Sequence, residues 1–320
     1  MQNMDILKFS YFIIYTFICI IKTFIIFMNL PILDITQFRD TGSVENFYAN
    51  DFATHLLNNR DIISHPHKHN FYLSVLFIEG TGVHEIDFES YEIKPGSVFL
   101  LRPGQTHFWK FTTKGKGYII FHSKEFYEAI GRNKNLSIFP FFFSNQNSPC
   151  IYLDKKTQAL IEPLFISILN ESRSNALLKK QKLVNLIDLI YIELSRLVLK
   201  DSFEDLVNSK NLTMKLHKFE QLIEEKYKRQ KSAIAYAESM NISVKHLNRI
   251  CKETIGKTTT DLILERVILE AKRQILYSEN NLTEIAWDLG YDDYSHFSKL
   301  FKQRSGMSPS QFQKMYLKKA

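Results

Sequence analysis

Apolar residues along this chain follow two periods, and the period changes once. From Tyr72 to Glu79 the sequence Tyr-Leu-Ser-Val-Leu-Phe-Ile-Glu is a short apolar run that stops at Gly80-Thr-Gly82, which predicts a strand entering a turn. Val83 to Phe88 alternates, with Val83, Glu85 and Asp87 opposed by His84, Ile86 and Phe88, as a half-buried strand requires. Further strands are predicted at Ser97 to Leu101, His107 to Phe111 and Tyr118 to His122, punctuated by Pro95-Gly96 and Pro103-Gly104. Short strands this closely spaced over residues 62–122 predict a small barrel or sandwich. After Pro149 the period becomes helical, at Leu160, Ile161, Leu164, Phe165 and Ile168, then at Leu183, Leu186, Ile187, Ile190 and Leu194. Two such faces serve as core packing for the strands, as a dimer seam, or as both. Asp201 to Thr213 is polar and weakly periodic and reads as a linker.

Beyond the linker the pattern repeats itself. Leu247, Arg249, Ile250, Lys252 and Gly256 recur 50 positions later as Phe297, Lys299, Leu300, Lys302 and Gly306. Upstream, Ile234-Ala-Tyr-Ala237 is echoed by Thr283-Glu-Ile-Ala286, and Met240 by Leu289. Each copy predicts a short helix, a tight turn and a second helix closed by a glycine cap. Ala237 and Ala286 are small where the first helix must approach the second. Asn241 and Gly290 stand where the turn needs a left-handed backbone, and Ser243 and Asp293 suit the N-caps of the second helices. Fixed in this way, those second helices project Lys245, Asn248, Arg249 and Lys252 from one copy and Tyr294, Ser295, His296, Lys299 and Lys302 from the other. Arginine and asparagine suit guanine and adenine edges, whereas lysine and serine also anchor phosphates. Any one exposed lysine is ordinarily only solvated; the repeated register makes the set informative. Between the copies, Thr259 to Tyr277 reads as one amphipathic helix with Ile263, Val267, Ala271 and Ile275 four apart. At about 1.5 Å per residue it is long enough to space two entries into successive major grooves.

Charge agrees with this location. From Met214 to the C-terminus there are 19 lysines and arginines against 13 acidic residues, whereas residues 1–213 are nearly balanced at 22 against 21. A basic surplus confined to one domain suits a polyanion, nucleic acid or an anionic membrane surface. Cys19, Cys150 and Cys251 are far apart and form no metal or disulfide pattern, which points to a reducing compartment and excludes a zinc finger. No Ser/His/Asp set, P-loop or dinucleotide fingerprint occurs, so the chain reads as non-enzymatic. Phe9 to Met28 is an apolar run of 20 residues without a cleavage site, the length of a membrane-crossing helix. It is either an anchor or an extension ahead of a true start at Met28. The second reading is preferred, because Asn-Leu-Pro-Ile-Leu-Asp-Ile after Met28 resembles the beginning of a soluble domain.

Residues 214–318 resemble the AraC/XylS-type DNA-binding domain. The resemblance is carried by Glu284-Ile-Ala-Trp-Asp-Leu-Gly-Tyr-Asp-Asp-Tyr-Ser-His-Phe-Ser-Lys-Leu-Phe-Lys302 with Gly306-Met-Ser-Pro-Ser310, and by Tyr236-Ala237, His246-Leu-Asn-Arg249 and Gly256-Lys-Thr. It implies Lys245, Asn248 and Arg249 as base-facing positions in the first copy and Tyr294, Ser295, His296 and Lys299 in the second. The sequence departs from the family where an aromatic-arginine pair is replaced by Phe312-Gln313, and where Tyr291 follows Gly290 in place of the commoner Phe. The N-terminal half resembles the cupin-like sensing domain of such regulators through His65-Pro-His67-Lys-His69, Gly80-Thr-Gly82, Pro95-Gly96 and Pro103-Gly104-Gln-Thr-His107. Alternating histidines can form a metal site, but no glutamate follows them where metal-binding cupins carry one, so neither metal nor cofactor is expected. His67, His69, Tyr72, His84, His107 and Trp109 are candidates either for lining an effector pocket or for a structural role.

The expectation is a multidomain α+β chain. Residues 1–30 are the hydrophobic segment, 31–150 a cupin-like β-barrel, 151–200 helices for dimerisation, 201–213 the linker, and 214–320 an all-α domain with two helix-turn-helix units. The implied function is a cytoplasmic transcription factor that binds double-stranded DNA as a homodimer, answers to a small-molecule effector of unknown identity and acts on RNA polymerase. Two alternatives remain: a cupin metalloenzyme with an appended DNA-binding domain, and a regulator anchored in the inner membrane if residues 1–27 are translated.

Overall fold

A computed structural model describes residues 30–38, 44–63, 65–130, 135–143, 147–198 and 203–317. These fall into two compact units, one of residues 31–223 with 233–259, the other of Leu30, 224–232 and residues from 260 onward. The apolar run from Phe9 to Met28 lies outside the described residues. Among the described residues no helix is long and apolar enough to cross a membrane.

The first unit begins with the strands β1 (Ile32–Leu33), β2 (Phe47–Asp51), β3 (Lys68–His69), β4 (Tyr72–Glu79), β5 (Gly82–Ile86), β6 (Glu89–Ile93), β7 (Ser97–Leu101), β8 (His107–Phe111), β9 (Lys116–His122) and β10 (Cys150–Tyr152). They form a five-stranded sheet in the order β10-β7-β4-β9-β2, a three-stranded sheet in the order β6-β5-β8, and the parallel pair β1-β3. The predicted strand at Val83 to Phe88 stops at Ile86. Asp87 and Phe88 both have positive φ, 49° and 75°, and make the two-residue hairpin turn into β6, whose handedness matches the strand twist. Alternation along β4 divides its side chains. Leu73, Val75 and Phe77 enter a core shared with Ile86, Ile93, Phe99, Leu101, Ile119 and Phe121, between the two larger sheets. Leu76 joins a second core on the opposite face. The five-stranded sheet is therefore covered on both sides, and β7 is buried at every position and shows no alternation in sequence.

The helices of this unit are α1 (Phe52–Ile63), α2 (Lys124–Glu128), α3 (Pro140–Phe143), α4 (Lys155–Arg173) and α5 (Lys179–Val198). Residues 62 and 63, expected within the β region, end α1. Asp154 caps α4 by accepting from Thr157 N–H at 2.7 Å. Ile161, Phe165 and Ile168 of α4 and Leu183, Ile187, Ile190, Tyr191 and Leu194 of α5 fill the second core against Phe47, Leu76, Val98 and Leu100 of the sheet. These faces are core packing. Leu160 is 64% exposed, because one residue before Ile161 is a rotation of about 100° away from the sheet. A buried polar knot ties α5 to the strands: the Tyr191 hydroxyl lies 2.8 Å from His122 Nε2 and 3.0 Å from Ser74 Oγ.

The expected linker is largely helix, since α6 spans Phe203–Lys226. No glycine or proline interrupts residues 203–213, and Leu216, Phe219 and Ile223 further along are buried. A helix anchored at one end extends through polar sequence that does not break it. In this unit Phe219 meets the Tyr236 ring edge-on at 5.5 Å, and α7 (Ala233–Ser239) and α8 (Val244–Ile255) complete it.

The second unit holds α9 (Thr259–Tyr277) from residue 260 on, with α10 (Leu282–Asp288), α11 (Tyr294–Ser305) and α12 (Pro309–Leu317). Ile263, Val267, Ala271 and Ile275 are buried at the expected four-residue spacing. Arg266 is also buried and forks onto Glu224 at 2.6 and 2.7 Å. Its guanidinium also bonds Glu270 at 3.2 Å and lies 3.9 Å from the Tyr227 ring centre. Buried charge is tolerated only when paired and hydrogen-bonded in this way.

Candidate nucleic-acid interface and barrel interior

In the first repeat the turn is made by Asn241, at φ 54°, a left-handed conformation that asparagine adopts more readily than most residues. Ser243 then caps α8 by accepting from His246 N–H at 3.1 Å, and Gly256 closes it at φ 71°. Leu247, Ile250 and Cys251 are buried on one side of α8, which leaves Lys245, Arg249 and Lys252 exposed on the other. Arg249 makes a surface pair with Glu253 at 3.7 Å, an interaction weak enough to exchange for another anion. Asn248 differs from its neighbours: it is half-buried, and its Oδ1 accepts the backbone N–H of Thr259 at 3.1 Å.

The second repeat opens with a full capping box, in which Asn281 Oδ1 accepts from Glu284 N–H at 3.0 Å and Glu284 accepts from Asn281 N–H at 2.8 Å. Ile285 and Ala286 are buried. Gly290 turns the chain at φ 75°, and a Cβ there would stand 2.1 Å from the carbonyl oxygen of Lys228, so both the conformation and the space require glycine. Asp293 caps α11 by accepting from Ser295 N–H at 2.8 Å. Phe297 and Phe301 are buried, Tyr294 is half-buried, and Ser295, His296, Lys299 and Lys302 are exposed. Lys302 lies in the last turn of α11. Arg304, which the sequence reading passed over, is held by Asp261 at 2.7 Å.

Between the sheets, His55, His67, His69, His84 and His107 are all buried. The rings of His67 and His107 are 4.4 Å apart, and those of His69 and His107 are 5.1 Å apart. His67 Nδ1 and His69 Nδ1 donate to the carbonyls of His65 at 2.9 Å and Phe71 at 2.6 Å. A carbonyl can only accept, so both tautomers are set and each Nε2 is an acceptor. His84 Nε2 and His107 Nδ1 share one proton at 3.0 Å. His69 Nε2, His84 Nδ1, His107 Nε2, His55 Nε2, the Thr106 hydroxyl and Trp109 Nε1 are buried without a hydrogen-bond partner among the described residues. Burial pushes His67 down to about 4 and His55 and His69 to about 3, with His84 and His107 well below the ordinary imidazole value. The interior is therefore neutral and polar. Among the described residues, no three His, Cys, Asp or Glu side chains are placed to hold a metal ion.

Five of the six residues expected to line a pocket come together here. Tyr72 does not. It shares strand parity with Ser74 and Leu76, packs on the helix-facing core, and stacks on His122 at 5.5 Å. His55 and Thr106 join the cluster without having been foreseen. The spacing Phe52, His55, Leu56, Asn59, Ile63 was the available sign of α1, the helix that carries His55 inward.

Residues 51–187 match the family described as the AraC-like ligand binding domain, and residues 236–315 the one described as a helix-turn-helix domain. The chain belongs to the AraC/XylS-type regulators. It is a DNA-binding transcription regulator. It is similar to the HTH-type transcriptional activator RhaS of Escherichia coli O139:H28 (strain E24377A / ETEC), at 23% identity over 245 residues, covering 76% of this chain and 85% of that one. Among solved structures it is similar to ToxT from Vibrio cholerae, at 15% identity over 85% of this chain and 99% of that chain, with a TM-score of 0.40. It is also similar to the C-terminal domain of AraT, a response regulator from Geobacillus stearothermophilus, at 28% identity over 31% of this chain and 82% of that chain, with a TM-score of 0.30. Where AraC/XylS-type regulators commonly carry an arginine, Gln313 of this chain donates to the carbonyl of Ile275 at 3.4 Å. Tyr291 is buried, and Lys231 stands 4.8 Å from its ring centre.

Proposed function

We propose that this regulator reads double-stranded DNA with the exposed faces of α8 and α11, and that a neutral small molecule held between its sheets controls that binding. The observation that carries the first part is the shared construction of the two repeats. In each, a left-handed turn residue and a side-chain N-cap fix a helix whose outward face bears the residues Lys245, Arg249 and Lys252, or Ser295, His296, Lys299 and Lys302. Arg249 and Lys299 are suited to base edges, the remaining lysines to phosphates.

The effector reading is supported by the six unpartnered polar atoms between the sheets. A buried polar group without a partner costs about 1–3 kcal/mol, so a cluster of them favours a ligand or ordered water that would satisfy them. Such a ligand acts by binding one arrangement of the chain more tightly than another. A homodimer fits the apolar surface left on α4 and α5, where Leu160, Ile166 and Leu189 are exposed.

Selection of bound duplexes from a random pool by the full chain tests the central reading. Enrichment of a defined motif is expected, with affinity falling steeply as salt is raised. Retention of the pool without enrichment would overturn sequence-specific reading.

A further inference from the structure

Asn248 stands on the recognition helix of the first repeat, yet its side-chain oxygen is already engaged. Thr259, whose N–H it accepts at 3.1 Å, is the first residue of α9 and is buried. The first N–H groups of a helix have no acceptor within it, so a buried one needs an acceptor from elsewhere. The second repeat meets the same demand differently. At the 50-residue offset, Thr259 corresponds to Pro309, the first residue of α12, and Asn248 corresponds to Ser298. Proline at the first helical position has no N–H to satisfy. One repeat removes the donor, and the other supplies an acceptor from its recognition helix.

We infer that Asn248 is a positioning residue, which locks α8 to the start of the next helix, and that it does not read a base. An asparagine that recognises adenine uses its amide oxygen and nitrogen together. Here the oxygen is committed to backbone. Thr259 reinforces the contact, since its hydroxyl lies 3.8 Å from Cys251 Sγ on the same helix. The inference rests on the reading of α8 as a recognition helix, but the capping bond itself does not.

The test is a double-mutant cycle in the full chain with Asn248→Ala and Thr259→Pro. Asn248→Ala should lower the folded-to-unfolded ratio in urea roughly tenfold, as expected for a buried N–H left unpaired. It should weaken binding to selected and random duplexes by the same factor and leave the selected motif unchanged. Thr259→Pro copies the Ser308-Pro309 step as Thr258-Pro, and in that background Asn248→Ala should cost little further stability. If Thr259→Pro does not fold, Asn248→Asp, which keeps the acceptor, should retain stability that Asn248→Leu loses. An undiminished penalty in the proline background, or equal loss in Asp and Leu, overturns the capping role. A change of preference at one base pair in Asn248→Ala overturns the exclusion of base reading. If instead α8 does not contact DNA, Arg249→Ala leaves binding intact while the stability cycle still behaves as described.

Discussion

At the scale of single residues, the exposed face of α8 and that of α11 differ in what they present. Arg249 carries a planar fork in a surface pair with Glu253, and a bidentate contact to guanine discriminates by about 1–3 kcal/mol. Arg249→Ala should therefore reduce specific binding by roughly ten- to a hundredfold and relax preference at one base pair. Lys302 is a point charge in the last turn of α11, better placed for phosphate. Lys302→Ala should weaken binding to every sequence alike and lower the slope of log affinity against log salt by about one. Competition titrations over a salt series separate the two. Equal loss on specific and random DNA for both variants would remove base reading from Arg249. Side-chain identity and register single out these residues in the sequence. The engagement of Asn248 could not be read there, because the N–H that occupies its oxygen belongs to a residue 11 positions further on.

At the scale of elements, the β-sandwich keeps six histidines buried and neutral, five between the sheets and His122 on the helix-facing side, where burial lowers it to about 4. Their folded values lie below the ordinary value of about 6.5, so as pH falls below that value the unfolded chain takes up protons first. Stability is thus full above about pH 6.5 and is lost as pH falls toward 4 and 3, by up to about 1.4 kcal/mol per pH unit for each such histidine. Thermal unfolding followed between pH 7 and pH 4.5 should show the midpoint falling on acidification. A midpoint independent of pH would mean that the interior is hydrated and the histidines titrate normally. Strands β4, β7, β8 and β9 were legible as short apolar runs bounded by glycine, proline and turn residues, whereas β6, mostly exposed, carries no such run. The helix α1 and the strand β2 were missed because their apolar residues are buried by partners distant in sequence, Phe52 against Phe77 and Phe47 against Phe126 among them.

At the scale of the whole molecule, the chain joins a neutral polar interior to two basic helix faces. If the interior is the effector site, His67→Ala combined with His69→Ala should leave basal DNA affinity unchanged while abolishing the change in promoter occupancy between growth conditions. Occupancy mapping in cells measures both. Loss of basal binding in that variant would show that the histidines support the fold on which DNA binding depends. The basic surplus after Met214 assigns the electrostatic attraction for DNA to the C-terminal region, and no replacement within the barrel should alter the salt slope.

What the sequence determined by itself was local. Period, turn chemistry and caps depend on residues a few positions apart, so the strands β4, β7 and β8, the helix α9, the left-handed turns at Asn241 and Gly290, and the caps at Ser243 and Asp293 could all be read from it. The repeat was legible because two copies of one solution share a register. The tertiary structure alone decided which face each residue serves. Strand parity sent Tyr72 to the helices and His84 to the interior, helix rotation exposed Leu160, and an anchored end carried α6 back through residues expected to be a linker. Each of those outcomes depends on which distant surface is there to be covered, and a pattern along the chain does not encode the identity of that surface.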